Sequence, residues 1–182
     1  SLYALEADQY KFINPTDYQS QGAYDGELLP LLQQALTSPG QKKFIVLHTL
    51  GSHYRYSDRY PTAFEVFQPS IRHNDLGLHD RQARELLINS YDNSILYLDY
   101  VADQIIRQLQ QTKAIAAMWY ISDHGEVLFD QDCPLSGHGH HSAYDHRPAS
   151  FVWLSPQLQQ RQPEAWQQLQ QHSAAALTSS NV

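Results

Sequence analysis

The chain has 182 residues, 42% hydrophobic and 17% charged, which is enough apolar material for one domain around one sizeable core. Its formal net charge is -7 and its longest basic feature is Lys42-Lys43, so the electrostatic footprint of a nucleic-acid binder is missing and no nucleic-acid partner is expected. No stretch approaches the roughly 18–20 apolar residues of a membrane span, and Ser1-Leu2-Tyr3 does not read as the start of a signal peptide, so any membrane anchor is expected outside these residues.

In chain order, residues 2–5 read as a short strand. Asp25 to Leu36 is predicted helical: Leu28, Leu31, Leu32, Ala35 and Leu36 share one side, and Pro39-Gly40 stop it. Phe44-Ile45-Val46-Leu47 is a continuous apolar run between turn residues, the pattern of a strand buried on both faces of a parallel sheet. The longest helical signal spans Asp80 to Gln111, with Leu87, Tyr91, Ser94/Ile95, Leu98, Val101/Ala102, Ile105 and Leu109 recurring at three- and four-residue steps. Ile115–Ile121 and Ser150–Leu154 are predicted as further buried strands, the second closed by Ser155-Pro156. Pro163 opens a last, Gln-rich helix through Gln171. Strands separated by helical segments predict an α/β fold with a mostly parallel sheet, whose ligands gather beyond the carboxyl ends of the strands.

Those strand ends carry the chemistry. Of ten histidines, six fall in two groups: His48 with His53, and His124 with His138, His140 and His141. Tyr120-Ile121-Ser122-Asp123-His124-Gly125-Glu126 leaves a strand with an Asp-His pair, and carboxylate and imidazole are what zinc takes outside cysteine sites. The same residues also read as a helix start, with Asp123 and Glu126 as a capping box. His48-Thr49-Leu50-Gly51-Ser52-His53 leaves the other strand, and Gly51 permits a bend that returns both imidazoles toward one point. Ser136-Gly137-His138-Gly139-His140-His141 reads either as a ligand-presenting loop or as an exposed polar one. Asn89-Ser90-Tyr91-Asp92-Asn93-Ser94-Ile95 puts small polar residues inside a helix against propensity. They are expected to hydrogen-bond a neighbouring loop or a substrate. Cys133 is the single cysteine and lacks an obvious base, Thr49 and Ser52 sit in no G-x-S-x-G elbow, and a hydrolase triad is poorly supported.

The order of these blocks resembles a known family. H-T-L-G-S-H, Arg59-Tyr60-Pro61, Phe64 to Pro69, N-S-Y-D-N-S-I, Y-I-S-D-H-G-E, the G-H-G loop and Phe151 to Pro156 look like the bacterial phosphoethanolamine transferases, over roughly residues 22 to 176. These belong to the sulfatase-like branch of the alkaline phosphatase superfamily. The resemblance implies an α/β/α sandwich with a mostly parallel sheet, of which residues 1–182 form the C-terminal portion. It implies zinc-dependent transfer of phosphoethanolamine from phosphatidylethanolamine to lipid A or lipopolysaccharide through a threonine phospho-intermediate. The parent enzyme would be anchored in the inner membrane, with this portion on its periplasmic face.

By motif match, Asp123 and His124 correspond to ligands of a tightly bound zinc, His53 and His138 to further zinc or phosphoryl contacts, and His48 to a pocket residue. The substrate-binding set is thus His48, His53 and His138. The threonine nucleophile and the first acidic ligand are expected upstream, so no catalytic residue is assigned within these residues, and the segment alone should bind zinc weakly and turn nothing over. The loop after His124 is longer than in the lipid A enzymes, which leaves His140 and His141 as alternatives to His138. The disulfides common in the family are missing. Other readings are a sulfatase, phosphodiester hydrolase or glycerol-phosphate transferase of the same superfamily, and a non-catalytic protein whose histidines are structural. Cys133-Pro134 does not match a sulfatase signature.

Overall fold

The computed structural model describes residues 3–14, 22–130 and 133–175. Tyr3–Glu6 forms a single helical turn, α1, where the sequence predicted a strand; Leu2 lies outside the described residues. A 3-10 turn at Asp25–Glu27 leads into helix α2, Leu28–Thr37, and the two together come within a residue of the predicted Asp25 to Leu36. A second 3-10 turn, Arg81–Ala83, opens helix α3, Arg84–Gln111. Its buried residues Leu87, Ser90, Ser94, Tyr97, Val101 and Ile105 repeat at three- and four-residue steps, so one stripe faces the interior. At about 1.5 Å per residue, α3 runs roughly 42 Å and is the spine of the molecule. No helix among the described residues is long and apolar enough to cross a membrane.

Strand β1, Ala117–Ile121, is followed by the short strands β2, Val127–Leu128, and β3, Ser136–Gly137, and then by β4, Ser150–Leu154. β1 pairs with β4, and β2 with β3, both antiparallel. This corrects the expected α/β/α sandwich with a mostly parallel sheet: the fold is α/β, and every ladder among the described residues is antiparallel. Parallel neighbours need a crossover connection, usually a helix. Between β1 and β4 the described chain carries only the β2–β3 hairpin and its loops, so β4 returns beside β1 in the opposite sense.

Phe44–Leu47 forms no ladder either. Phe44 is 94% exposed and Val46 56%, while Ile45 and Leu47 pack on a core, so burial is one-faced where the apolar run suggested both faces. β1 likewise alternates half-buried and exposed residues. Ser155 accepts the Leu158 N–H as the N-cap of helix α4, Pro156–Arg161, which the sequence reading missed, and Pro163 opens helix α5, Pro163–Gln171, as expected.

Two apolar cores share α3. The first gathers Tyr56, Ile71, Ala83, Leu87, Leu128 and Phe129 at its N-terminal half. The second gathers Leu32, Tyr60, Tyr97, Val101 and Ile105 farther along. The small polar residues of α3 hold the segment crossing between them. The Asn93 side chain accepts the N–H groups of Val66 and Phe67, each at 2.8 Å, and donates to the Phe67 carbonyl. Ser90 accepts the Ile71 N–H, and Asn89 donates to the Pro69 carbonyl. The neighbouring-loop role expected for this motif is the one observed.

Candidate metal centre

The short β2–β3 ladder builds the site. Its register pairs Val127 with Gly137 and Leu128 with Ser136. One step beyond that pairing, Glu126 stands opposite His138, and His138 Nδ1 lies 3.0 Å from Glu126 Oε1. The carboxylate can only accept, so His138 carries its proton on Nδ1 and keeps an Nε2 lone pair. His124 precedes Glu126 by two residues, the spacing that puts side chains on one side of an extended chain. Its Nδ1 donates to the Gly125 carbonyl at 2.8 Å, which leaves Nε2 as the ligand atom. The His124 and His138 rings lie 4.0 Å apart, centre to centre.

Ligand atoms of His124, Glu126 and His138 all lie within 4.8 Å of one another. Two imidazoles and a carboxylate are a zinc donor set. The residues present therefore fit the ion that the resemblance implies.

Glu126 is the site residue that the sequence reading passed over. It appeared there only as half of a capping box, yet residues 122–126 start no helix, so there is nothing to cap. Its i+2 relation to His124 was the available signal. Only 8% of its side chain is exposed. Its second oxygen, Oε2, accepts the hydroxyl of Tyr56 at 2.7 Å. Burial, then the nearby Glu126 charge, pushes the Tyr56 phenol far above its ordinary range and raises Tyr91 to about 12, so both stay protonated.

The antiparallel pairing of β1 with β4 brings the chain after His138 back to this tip. Ser122 donates to the Ala149 carbonyl, and Gly125 to the Asp145 carbonyl. Asp145 in turn accepts the His140 and Ser142 N–H groups. Burial works against its charge, but these donors hold its carboxyl below the usual aspartate range. A side chain at position 125 would overlap the Tyr144 carbonyl oxygen, so glycine is required there by close approach.

Asp123 sits at the rim, 88% exposed, with Oδ2 3.8 Å from His124 Nε2. His53 and His138 line one cleft of about 520 Å³, together with Tyr54, Arg55, His79, Glu126 and His140. His53 Nδ1 donates to the Tyr54 carbonyl at 2.6 Å. Its turn is held by Asp25, whose carboxylate accepts the Leu50 and Gly51 N–H groups; burial raises the Asp25 pKa despite those bonds. His48 is exposed and is not a lining residue of the cleft. Among the loop histidines, His138 reaches the cluster, His140 lines the cleft with Nε2 on the Ser136 carbonyl, and His141 is exposed.

Residues 1–181 match the family described as Sulfatase. The phosphoethanolamine transferase EptA of Salmonella typhimurium is 42% identical over 123 residues, covering 64% of this chain and 22% of that protein. An Escherichia coli phosphoethanolamine transferase EptC is 32% identical over 130 residues, covering 71% of this chain and 22% of that protein. The chain thus spans about a fifth of the length of these relatives. The zinc-complexed crystal structure of the C-terminal periplasmic domain of E. coli EptC superposes with a TM-score of 0.76 at 28% identity, covering 89% of this chain and 46% of that one. By these matches the chain belongs to the sulfatase family, and within it is similar to phosphoethanolamine transferases.

Proposed function

We propose that His124, Glu126 and His138, with Asp123 and His53 at the margin, hold a zinc ion that serves phosphoethanolamine transfer in the whole protein. The observation that carries this is the convergence of three ligand atoms within 4.8 Å beside a cleft lined by His53 and His138. Zinc, when bound, supplies Lewis acidity toward phosphoryl oxygens and lowers the pKa of a coordinated hydroxyl. The chain's own residues do the rest. Gly125 and Glu126 fix the imidazole tautomers. His53 and His140 line the cleft wall, each ring held by a backbone carbonyl, and His48 precedes the turn that carries His53.

The donor would be phosphatidylethanolamine and the acceptor lipid A or lipopolysaccharide, at the periplasmic face of the inner membrane, with the phosphoryl group passing through a threonine. What supports this is narrower: relatives named phosphoethanolamine transferases, two of them named for Kdo(2)-lipid A, and a solved relative that is a zinc-complexed periplasmic domain. The test is mass spectrometry of lipid A from cells expressing the whole protein. We expect phosphoethanolamine-bearing lipid A with the natural sequence and its loss with His124→Ala or His138→Ala. Transfer that survives both substitutions would overturn the assignment. The Sulfatase description favours ester hydrolysis as a second reading. Release of inorganic sulfate from an aryl sulfate, without any lipid A product, would carry that one instead.

A further inference from the structure

Tyr56 is fully buried, and its ring packs edge-on against Tyr54 and Tyr91 at 5.5 and 5.3 Å in the first core. Phenylalanine would fill that space equally well. The hydroxyl is what needs explaining, since a buried phenol must find a partner. Its partner is the Glu126 carboxylate, and the bond uses the oxygen that does not meet His138.

We propose that Tyr56 is a positioning residue for the cation, its hydroxyl fixing Glu126 so that the second carboxylate oxygen is presented to His138 and His124. The inference rests on the zinc reading above. A carboxylate free to rotate would spread its two oxygens over several rotamers. Held at one oxygen, it offers the other in a single direction, and the entropy of ordering is met on folding, before an ion arrives. The same bond joins two segments. Tyr56 follows His53 by three residues on the 3-10 turn Tyr56–Asp58, while Glu126 leads into β2. One hydroxyl therefore sets the His53 side of the cleft against the side bearing His124 and His138.

The test measures zinc affinity of the 182-residue chain by competition with a chromophoric chelator, and the melting temperature of the zinc-free chain. Tyr56→Phe should weaken zinc binding roughly ten- to hundredfold, the usual cost of losing an outer-shell partner, with a much smaller effect on zinc-free melting. Placed in a Glu126→Gln background, it should add little further weakening, because its effect runs through that carboxylate. Should Tyr56→Phe fail to fold, 4-aminophenylalanine at position 56 keeps the shape with a weaker donor, and should bind zinc less tightly than the natural chain. Tyr56→Phe binding as tightly as the natural chain, while His124→Ala loses zinc, would reduce Tyr56 to core packing and leave the metal centre standing. An equal weakening with and without Glu126→Gln would also overturn the inference. Unchanged zinc affinity in both His124→Ala and His138→Ala would instead sink the metal centre and the inference together.

Discussion

At the scale of single residues, the site depends as much on Gly125 as on the histidines around it. His124 and Glu126 face one way as alternate residues of an extended tip, and at Gly125 between them the loop entering β4 rests its Tyr144 carbonyl where a Cβ would stand. Gly125→Ala must push that loop outward or twist the strand tip. Either movement breaks the bond from Gly125 N–H to the Asp145 carbonyl. The expected cost is about 1–3 kcal/mol of stability from overpacking, read by urea denaturation, with loss of zinc binding read by chelator competition. Stability and zinc affinity equal to those of the natural chain would show that the loop does not rest on this glycine. Of the histidines that the sequence singles out, His124 and His138 do meet in one cluster. Glu126 and Tyr56 were not legible there, because what gives them meaning is a pairing register and a contact between residues 70 positions apart.

At the scale of elements, the amphipathic helices and the places of β1 and β4 were readable, and the sense in which the strands pair was not. The stripe on α3 is long enough to average out local noise, and its polar interruption at Asn89–Ser94 is explained by the loop it binds. Strand pairing is a non-local property, and an apolar run such as Phe44–Leu47 cannot say whether a neighbour exists. β2 and β3 are two residues each, too short for any period to show, yet their register places Glu126 against His138. The loop bound to α3 offers a clean test. Asn93 is fully buried and satisfies two backbone N–H groups and one carbonyl. Asn93→Ala removes all three part-buried bonds, and the expected loss is about 1.5–4 kcal/mol, about 0.5–1.5 for each bond. Asn89→Ala removes a single bond near the surface and should cost about 0.5–1 kcal/mol. Denaturant midpoints of the two variants compare them directly, and equal losses would contradict the assigned roles.

At the scale of the whole molecule, the question is what makes two cores behave as one. The chain from Tyr60 to Arg72 leaves the second core at Tyr60 and enters the first at Ile71, crossing α3 on the way. Its ends are tied by Arg72, which donates to the Tyr60 carbonyl, lies over the Tyr60 ring, and pairs with Glu65 at 2.7 Å. Both partners are largely shielded from water, so this pair is worth more than a surface ion pair. Burial alone would raise the Glu65 pKa, but the Ser70 hydroxyl and the Arg72 guanidinium outweigh it and hold the carboxyl below its ordinary 4.5. A carboxyl that binds its proton more weakly folded than unfolded contributes stability in full above the unfolded value. That contribution is lost as pH falls below about 4.5 toward the folded value. Glu65→Gln keeps the shape without the charge. The natural chain should therefore lead it by about 1–3 kcal/mol near neutrality, and the lead should shrink steadily as the pH drops through the carboxylate range. Urea midpoints of both chains across that range measure the difference, in which titrations common to both cancel. A gap independent of pH would mean that Glu65 acts through packing alone, and the crossing segment would then owe its hold on the two cores to Asn93 and Ser90 instead.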